Sequence, residues 1–203
     1  MRRLPLMVLL LALALPSCEL FGDPSEALVL DVPVSVTLPQ PLPILYPSAR
    51  QIADLPVGSD GRRVYEVPPA YISDLDIVAL DSEVEQIADR IEGIEIAGVD
   101  VSISANSLDV PIEPIEIRVG QAGQPWSAAL PTAVTDTLPI GFEGDTQAAL
   151  VADNRDMVTE ELGTLRFGLG VGTYFVIPEG DLPSGGRANA EFTVRLILKV
   201  SPL

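Results

Sequence analysis

From Ala188 to Val200 every second residue is apolar: Ala188, Ala190, Phe192, Val194, Leu196, Leu198 and Val200, with Asn189, Glu191, Thr193, Arg195 and Lys199 among the residues between them. A strand turns successive side chains to opposite faces, so this pattern gives one apolar side and one largely polar side. At 13 residues the run is longer than an ordinary strand and predicts one that spans a whole sheet. So long an apolar face must pack on another layer, which commits much of the remaining chain to a β-rich core.

The rest of the chain supplies further strands. Leu28, Leu30, Val32, Val34, Val36 and Leu38 also alternate, and Pro33 among them marks an edge strand or a bulge. Between Pro39 and Gly61 the density of Pro39, Pro41, Pro43, Pro47 and Pro56, with Gly58, resists regular pairing and predicts a long ordered loop. Strand character returns at Arg63 to Val67 and, in irregular register, at Tyr71 to Leu80. Ser82 with Glu85 makes a capping box, and Val84, Ile87, Ala88 and Ile91 recur at helical spacing, so one short helix is expected near 82–92, closed by Gly93.

Ile94, Ile96, Val99, Val101 and Ile103 form the next strand, its alternation shifted by one at Ala97 and Gly98 as a bulge would do. A turn at Asn106 and Ser107 leads to Val110, Ile112, Ile115, Ile117 and Val119, and the pair reads as a hairpin. Residues 120–136 are mixed and hold Trp126, the only tryptophan. Asp145 is placed to cap a short helix running to Val151. Leu165, Phe167, Leu169, Val171 and Phe175 alternate again, and the turn-rich stretch from Pro178 to Gly186 is expected to join them to the last strand as a long hairpin.

Seven or eight strands, one short helix and no alternation of strand with helix predict a mainly β fold, an antiparallel β-sandwich or flattened barrel. The stretch Ala105, Asn106, Ser107, Leu108, Asp109, Val110, Pro111, Ile112 faintly resembles the asparagine-and-proline strand motif of LEA14/WHy sandwich domains.

The chain has no histidine, so no Ser-His-Asp or Cys-His nucleophile and no imidazole zinc site can be built from it. Its one cysteine, Cys18, allows no intrachain disulfide and no thiolate cluster. No catalytic set, metal site or cofactor site is therefore assigned. The 12 basic residues are outnumbered by 29 acidic ones, which makes nucleic acid and anionic headgroups poor partners. With 47% apolar residues the chain can still form a core.

Met1, Arg2 and Arg3 precede an uncharged run from Leu4 to Leu15, which then meets Pro16, Ser17 and Cys18. This is the layout of an export signal, and its apolar run is too short to cross a bilayer, which takes about 20 residues in a helix. Leu15, Pro16, Ser17, Cys18 resembles the lipobox of bacterial lipoproteins, with proline at an atypical place. The resemblance implies a diacylglycerol on the Cys18 sulfur, usually an acyl group such as palmitate on the new amino terminus, and cleavage before Cys18. Residues 1–17 are then a signal peptide, 18–26 a lipidated tether and 27–203 a single β-rich domain. Without the two leader arginines the domain and tether hold 10 basic against 29 acidic residues, a net charge of −19. Aspartate after the cysteine is the inner-membrane retention signal of enteric lipoproteins. Glu19 points instead to the periplasmic face of the outer membrane, where the cell has one.

Gly168, Gly170 and Gly172 occupy one face of the penultimate strand, opposite Phe167, Leu169 and Val171. Glycine weakens a strand, so three in alternation imply close approach by another layer or, alternatively, a ligand groove. The acidic groups Asp74, Asp76 and Asp81, Glu143 and Asp145, Asp153 and Asp156, and Glu179 and Asp181 match no calcium loop and read as solvated surface. These features together predict a membrane-anchored, non-enzymatic binding or interaction module whose partner is an envelope protein. The alternatives are a carrier or sensor of an apolar ligand and a carboxylate-dependent envelope hydrolase.

Overall fold

The computed structural model describes residues 29–38, 41–80, 82–177 and 185–201. The lipobox, the tether, Asp81, Glu179 and Asp181 lie outside them. In chain order the elements are β1 (Leu30–Thr37), β2 (Leu42–Leu45), α1 (Ala49–Ala53), β3 (Arg63–Glu66), β4 (Ala70–Asp76), α2 (Ile77–Leu80), α3 (Ser82–Ile87) and β5 (Ile91–Ser104). They continue with β6 (Glu116–Gln121), β7 (Leu130–Val134), β8 (Gly144–Leu150), α4 (Arg155–Leu162), β9 (Arg166–Gly172), β10 (Tyr174–Ile177) and β11 (Arg187–Val200).

The architecture is mainly β, an antiparallel sheet curled into a half-barrel. Its strands run β1, β11, β5, β8, β7, β6, β9, β4, with β2 a second partner of β11, while β10 and β3 form a separate ribbon. The long last strand is the backbone of one leaf: β5 runs along one of its edges, and β1 and β2 lie end to end along the other. Its alternate apolar residues, from Ala188 to Val200, are all buried, and Ile197 on the other face is half-buried. Each large aliphatic or aromatic side chain so buried contributes roughly 1.5–3 kcal/mol against the entropy of ordering the chain. Pro33 sits in β1 at the edge of the sheet, and Ala97 is the extra residue of β5, since Gly98 pairs with Arg195 and Ile96 with Leu196. The bulge turns the inward set of β5 from Ile94 to Val99, Val101 and Ile103, all buried.

The curl happens at β8. Its first part, Gly144 to Ala148, pairs with β5, and its end, Ala149 and Leu150, pairs with Val134 and Ala133 of β7. The strand thus passes from one leaf to the other, and their inner faces share one core that includes Phe192, Leu196, Ile117, Phe167 and Leu169.

Several local expectations are corrected. β5 does not form a hairpin with the segment after Asn106: it pairs with β11 and β8, while β6 pairs with β7 and β9. Only Ile112, bridged to Leu138, is strand-like between Asn106 and Ile115, and Asn106 accepts from Leu108 N–H at 3.0 Å in a side-chain turn. β9 and β11 are not a hairpin either; β9 pairs with β4 and β6. The residues from Asp145 to Leu150 are strand, not helix, because the seam between the leaves claims their backbone.

The capping-box helix spans only Ser82–Ile87 before a 3-10 turn at Ala88–Arg90, and Ile77–Leu80, expected as strand, is helical, with Asp76 Oδ1 accepting from Val78 and Ala79 N–H. The proline-rich loop contains β2, and also α1, whose Ser48 and Gln51 form a capping box of their own.

Candidate functional site

The glycines of β9 are buried under Tyr71 of β4, which covers Gly168 and Gly170, and under Trp126 of the β6–β7 connection, which covers Gly172. In register, Tyr71 of β4 stands opposite Gly170, which stands opposite Arg118 of β6. With no side chain in the middle of that row, a gap opens across three strands, and the β6–β7 connection folds into it. Trp126, on a 3-10 turn after Pro125, meets Tyr71 edge-on with ring centroids 6.0 Å apart, and the Arg118 guanidinium carbon lies 4.8 Å from the Trp126 ring centroid. A cation over an indole face is attracted by the ring quadrupole. Arg118 is held there by Glu116, to which Nη2 donates at 2.8 Å.

Space decides the residue type. A Cβ on Gly170 would come within 2.5 Å of Tyr71 Cδ2 and 2.6 Å of the Ala70 carbonyl oxygen, and one on Gly172 within 2.8 Å of Trp126 Cζ2. One on Gly168 would collide with the Tyr71 hydroxyl. That hydroxyl is buried without a hydrogen-bond partner among the described residues, and burial pushes its pKa above the ordinary tyrosine value. Gly168 and Gly170 are thus seats for Tyr71 rather than the floor of an open groove. Gly172 borders one, a cleft of about 280 Å³ edged by Trp126, Tyr174, Pro69 and the carboxylates Glu66 and Glu116. The tyrosine and tryptophan were missed in the sequence; the signal available was the three bare positions, which required large side chains from elsewhere to cover them.

The acidic residues are dispersed. Asp74 and Asp76 both face Arg166, Asp74 accepting from Nε at 3.1 Å and Asp76 lying 4.0 Å from it. Glu143 accepts from Asn106 N–H at 2.9 Å, and Asp145, Asp153 and Asp156 are exposed. Among the described residues no three carboxylates come together as metal ligands.

A second opening lies at the seam of the leaves. On the edge that Val99 to Ile103 give to β8, the earlier residues of β5 have no strand partner, and α4 covers them. Beneath it is a recess of about 140 Å³ with Ile96, Leu150, Val151 and Val158 on its walls. Thr132, Ala152 and Thr159 also line it, and Arg155 lies 3.7 Å from Glu95 beside it.

No protein-family model matches the chain, and neither does any curated protein. Among solved structures it is similar to one of turnip yellow mosaic virus, at 7% identity over 93% of this chain and 89% of that chain with a TM-score of 0.33. It is also similar to one of mud crab tombus-like virus, at 10% identity over 93% and 90% with a TM-score of 0.35. A third, of Israeli acute paralysis virus, shares 9% identity over 85% and 75% with a TM-score of 0.39. Similarities of this size say nothing about activity.

Proposed function

We propose that this chain is a lipoprotein, exported and then held on the bacterial membrane through lipid on Cys18, whose β-rich domain is a non-enzymatic binding module at the cell envelope. The observation that carries the reading is the sequence Leu15, Pro16, Ser17, Cys18 behind a charged start and a short apolar run, with Cys18 the only cysteine in the chain. Several acyl chains, at roughly 0.8 kcal/mol per buried methylene, hold a domain on a bilayer without help from basic residues, which suits a chain this acidic. The absence of histidine removes the commonest nucleophile-activating base, which favours binding over catalysis.

The cleft beside Gly172 is the contact surface we assign to an envelope partner: it joins a half-buried tryptophan to Tyr174 and two carboxylates on rigid strands. Aromatic anchors ringed by polar groups are what protein interfaces use at their centres.

Metabolic labelling with palmitate tests the anchor. The wild-type chain takes up label and Cys18→Ala does not, accumulating as precursor or as a released soluble form; label that persists in the alanine variant overturns the assignment.

A further inference from the structure

The recess at the seam is a space the fold creates and the sequence leaves unfilled. β8 changes partner between Ala148 and Ala149, so no strand can follow β5 beyond Val99 on that edge, and α4 crosses the opening. A helix laid over a splayed sheet closes it only if large side chains fill the wedge. Here three of the lining residues, Thr132, Ala152 and Thr159, are small, and the apolar ones are Ile96, Leu150, Val151 and Val158, with Val158 buried and Leu150 exposed at the opening. Unfilled apolar volume lowers stability, and an enclosed apolar cavity of about 150 Å³ takes up benzene; this recess is of that size and opens to solvent beside Leu150.

The rim sets the ligand's charge. Glu95 lies between two cations, 3.7 Å from Arg155 and 3.9 Å from Lys199, and Lys199 is also 2.8 Å from Asp31. Of these groups Glu95 and Arg155 line the recess itself, and they balance, so no net charge in its lining favours an ionic group. Thr132 donates to the Leu130 carbonyl and Thr159 to the Arg155 carbonyl, which leaves both hydroxyls already engaged as donors.

We propose that this recess is a binding site for an uncharged alkyl or aryl group of about the size of benzene. It is separate from the cleft beside Gly172, and it holds whether or not Cys18 is acylated.

Benzene and benzoate are the probes, since they share a ring and differ in charge. The protein is the full chain carrying Cys18→Ala, so that no acyl group competes. Benzene is expected to shift the methyl resonances of Ile96, Leu150, Val151 and Val158 saturably, with benzoate at least about tenfold weaker because its charge must be desolvated. Ala152→Trp and Thr159→Leu fill the recess from two sides, and each is expected to weaken benzene binding by at least about tenfold. An unchanged amide spectrum away from the seam shows that the variant has kept its fold, and the variant that does so is the one read. Shifts that never saturate, benzene binding that survives filling, or benzoate binding as tightly as benzene overturns the proposal.

Discussion

Gly170→Val puts the packing of the glycine face to a direct test. The Cβ alone would stand 2.5 Å from Tyr71 Cδ2, 2.6 Å from the Ala70 carbonyl oxygen and 2.9 Å from Tyr71 Cα. Two of these three atoms are backbone, so a change of rotamer cannot relieve the contact, and the pairing of β4 with β9 must give. Overpacking of this kind costs about 1–3 kcal/mol, and the backbone involvement puts the expectation near the upper end, about 3 kcal/mol. With a urea slope of about 2 kcal/mol/M, the denaturation midpoint should fall by about 1.5 M. Gly168→Ala is the internal comparison. Its Cβ meets the Tyr71 hydroxyl, the far end of a flexible side chain, so it should cost less than Gly170→Ala, and adding Tyr71→Phe should recover part of that cost, Cζ still standing 2.7 Å away. Equal midpoints for wild type and Gly170→Val, or no coupling between positions 168 and 71 in a double-mutant cycle, would refute the packing argument.

Trp126→Ala removes the half-buried ring that covers Gly172 and meets Tyr71, and should cost about 2 kcal/mol, less than a fully buried tryptophan, as read from circular dichroism in urea. Tyr46 and Tyr71 both have pKa values raised above the ordinary tyrosine value, by burial first and, for Tyr46, by the charge of Asp109 as well. In the unfolded chain these phenols lose their protons at about pH 10, before the folded ones do, so their contribution is full below that pH and is lost as pH rises towards the folded values. Urea midpoints should therefore decline above about pH 10, and the Tyr46→Phe, Tyr71→Phe double variant should show a shallower decline. Titration calorimetry with zinc and with calcium is expected to be flat. A micromolar calcium site accompanied by a higher melting temperature would turn the acidic surface into a ligand set.

What the sequence made legible was local. The alternation in β11 and β1, the edge position of Pro33 and the shift at Ala97 are properties of a strand and its two faces, and the faces are written in period two. Partners are not. Nothing between Gly172 and Arg187 says that β9 will join β4 and β6 rather than return along β11, because that choice rests on contacts about 50 to 100 residues apart in the chain. The residues Asp145 to Leu150 misled for a related reason: Gln147, Ala148, Ala149 and Leu150 favour helix, and the seam overrides them by pairing both halves of the segment with different strands. In the proline-rich stretch the density of Pro39, Pro41, Pro43 and Pro47 concealed Ser48 and Gln51, a capping signal of the same kind as the one recognised at Ser82. The aromatic cover of the glycine face was half legible, since the empty positions stood in the sequence and the residues that fill them did not.

The sheet's open ends bear on life at a surface. Copies held on one membrane, as proposed here, meet in two dimensions at a crowding that free molecules seldom reach, and bare strands in such a layer can zip edge to edge into ribbons. At one end β1 and β2 each carry a proline, Pro33 and Pro43, with no N–H to offer an incoming neighbour; at the other, β4 breaks register between Ile72 and Leu75 and shows Asp74 to solvent. Each copy thereby ends its own sheet, and a dense coat of them can stay a fluid of separate molecules.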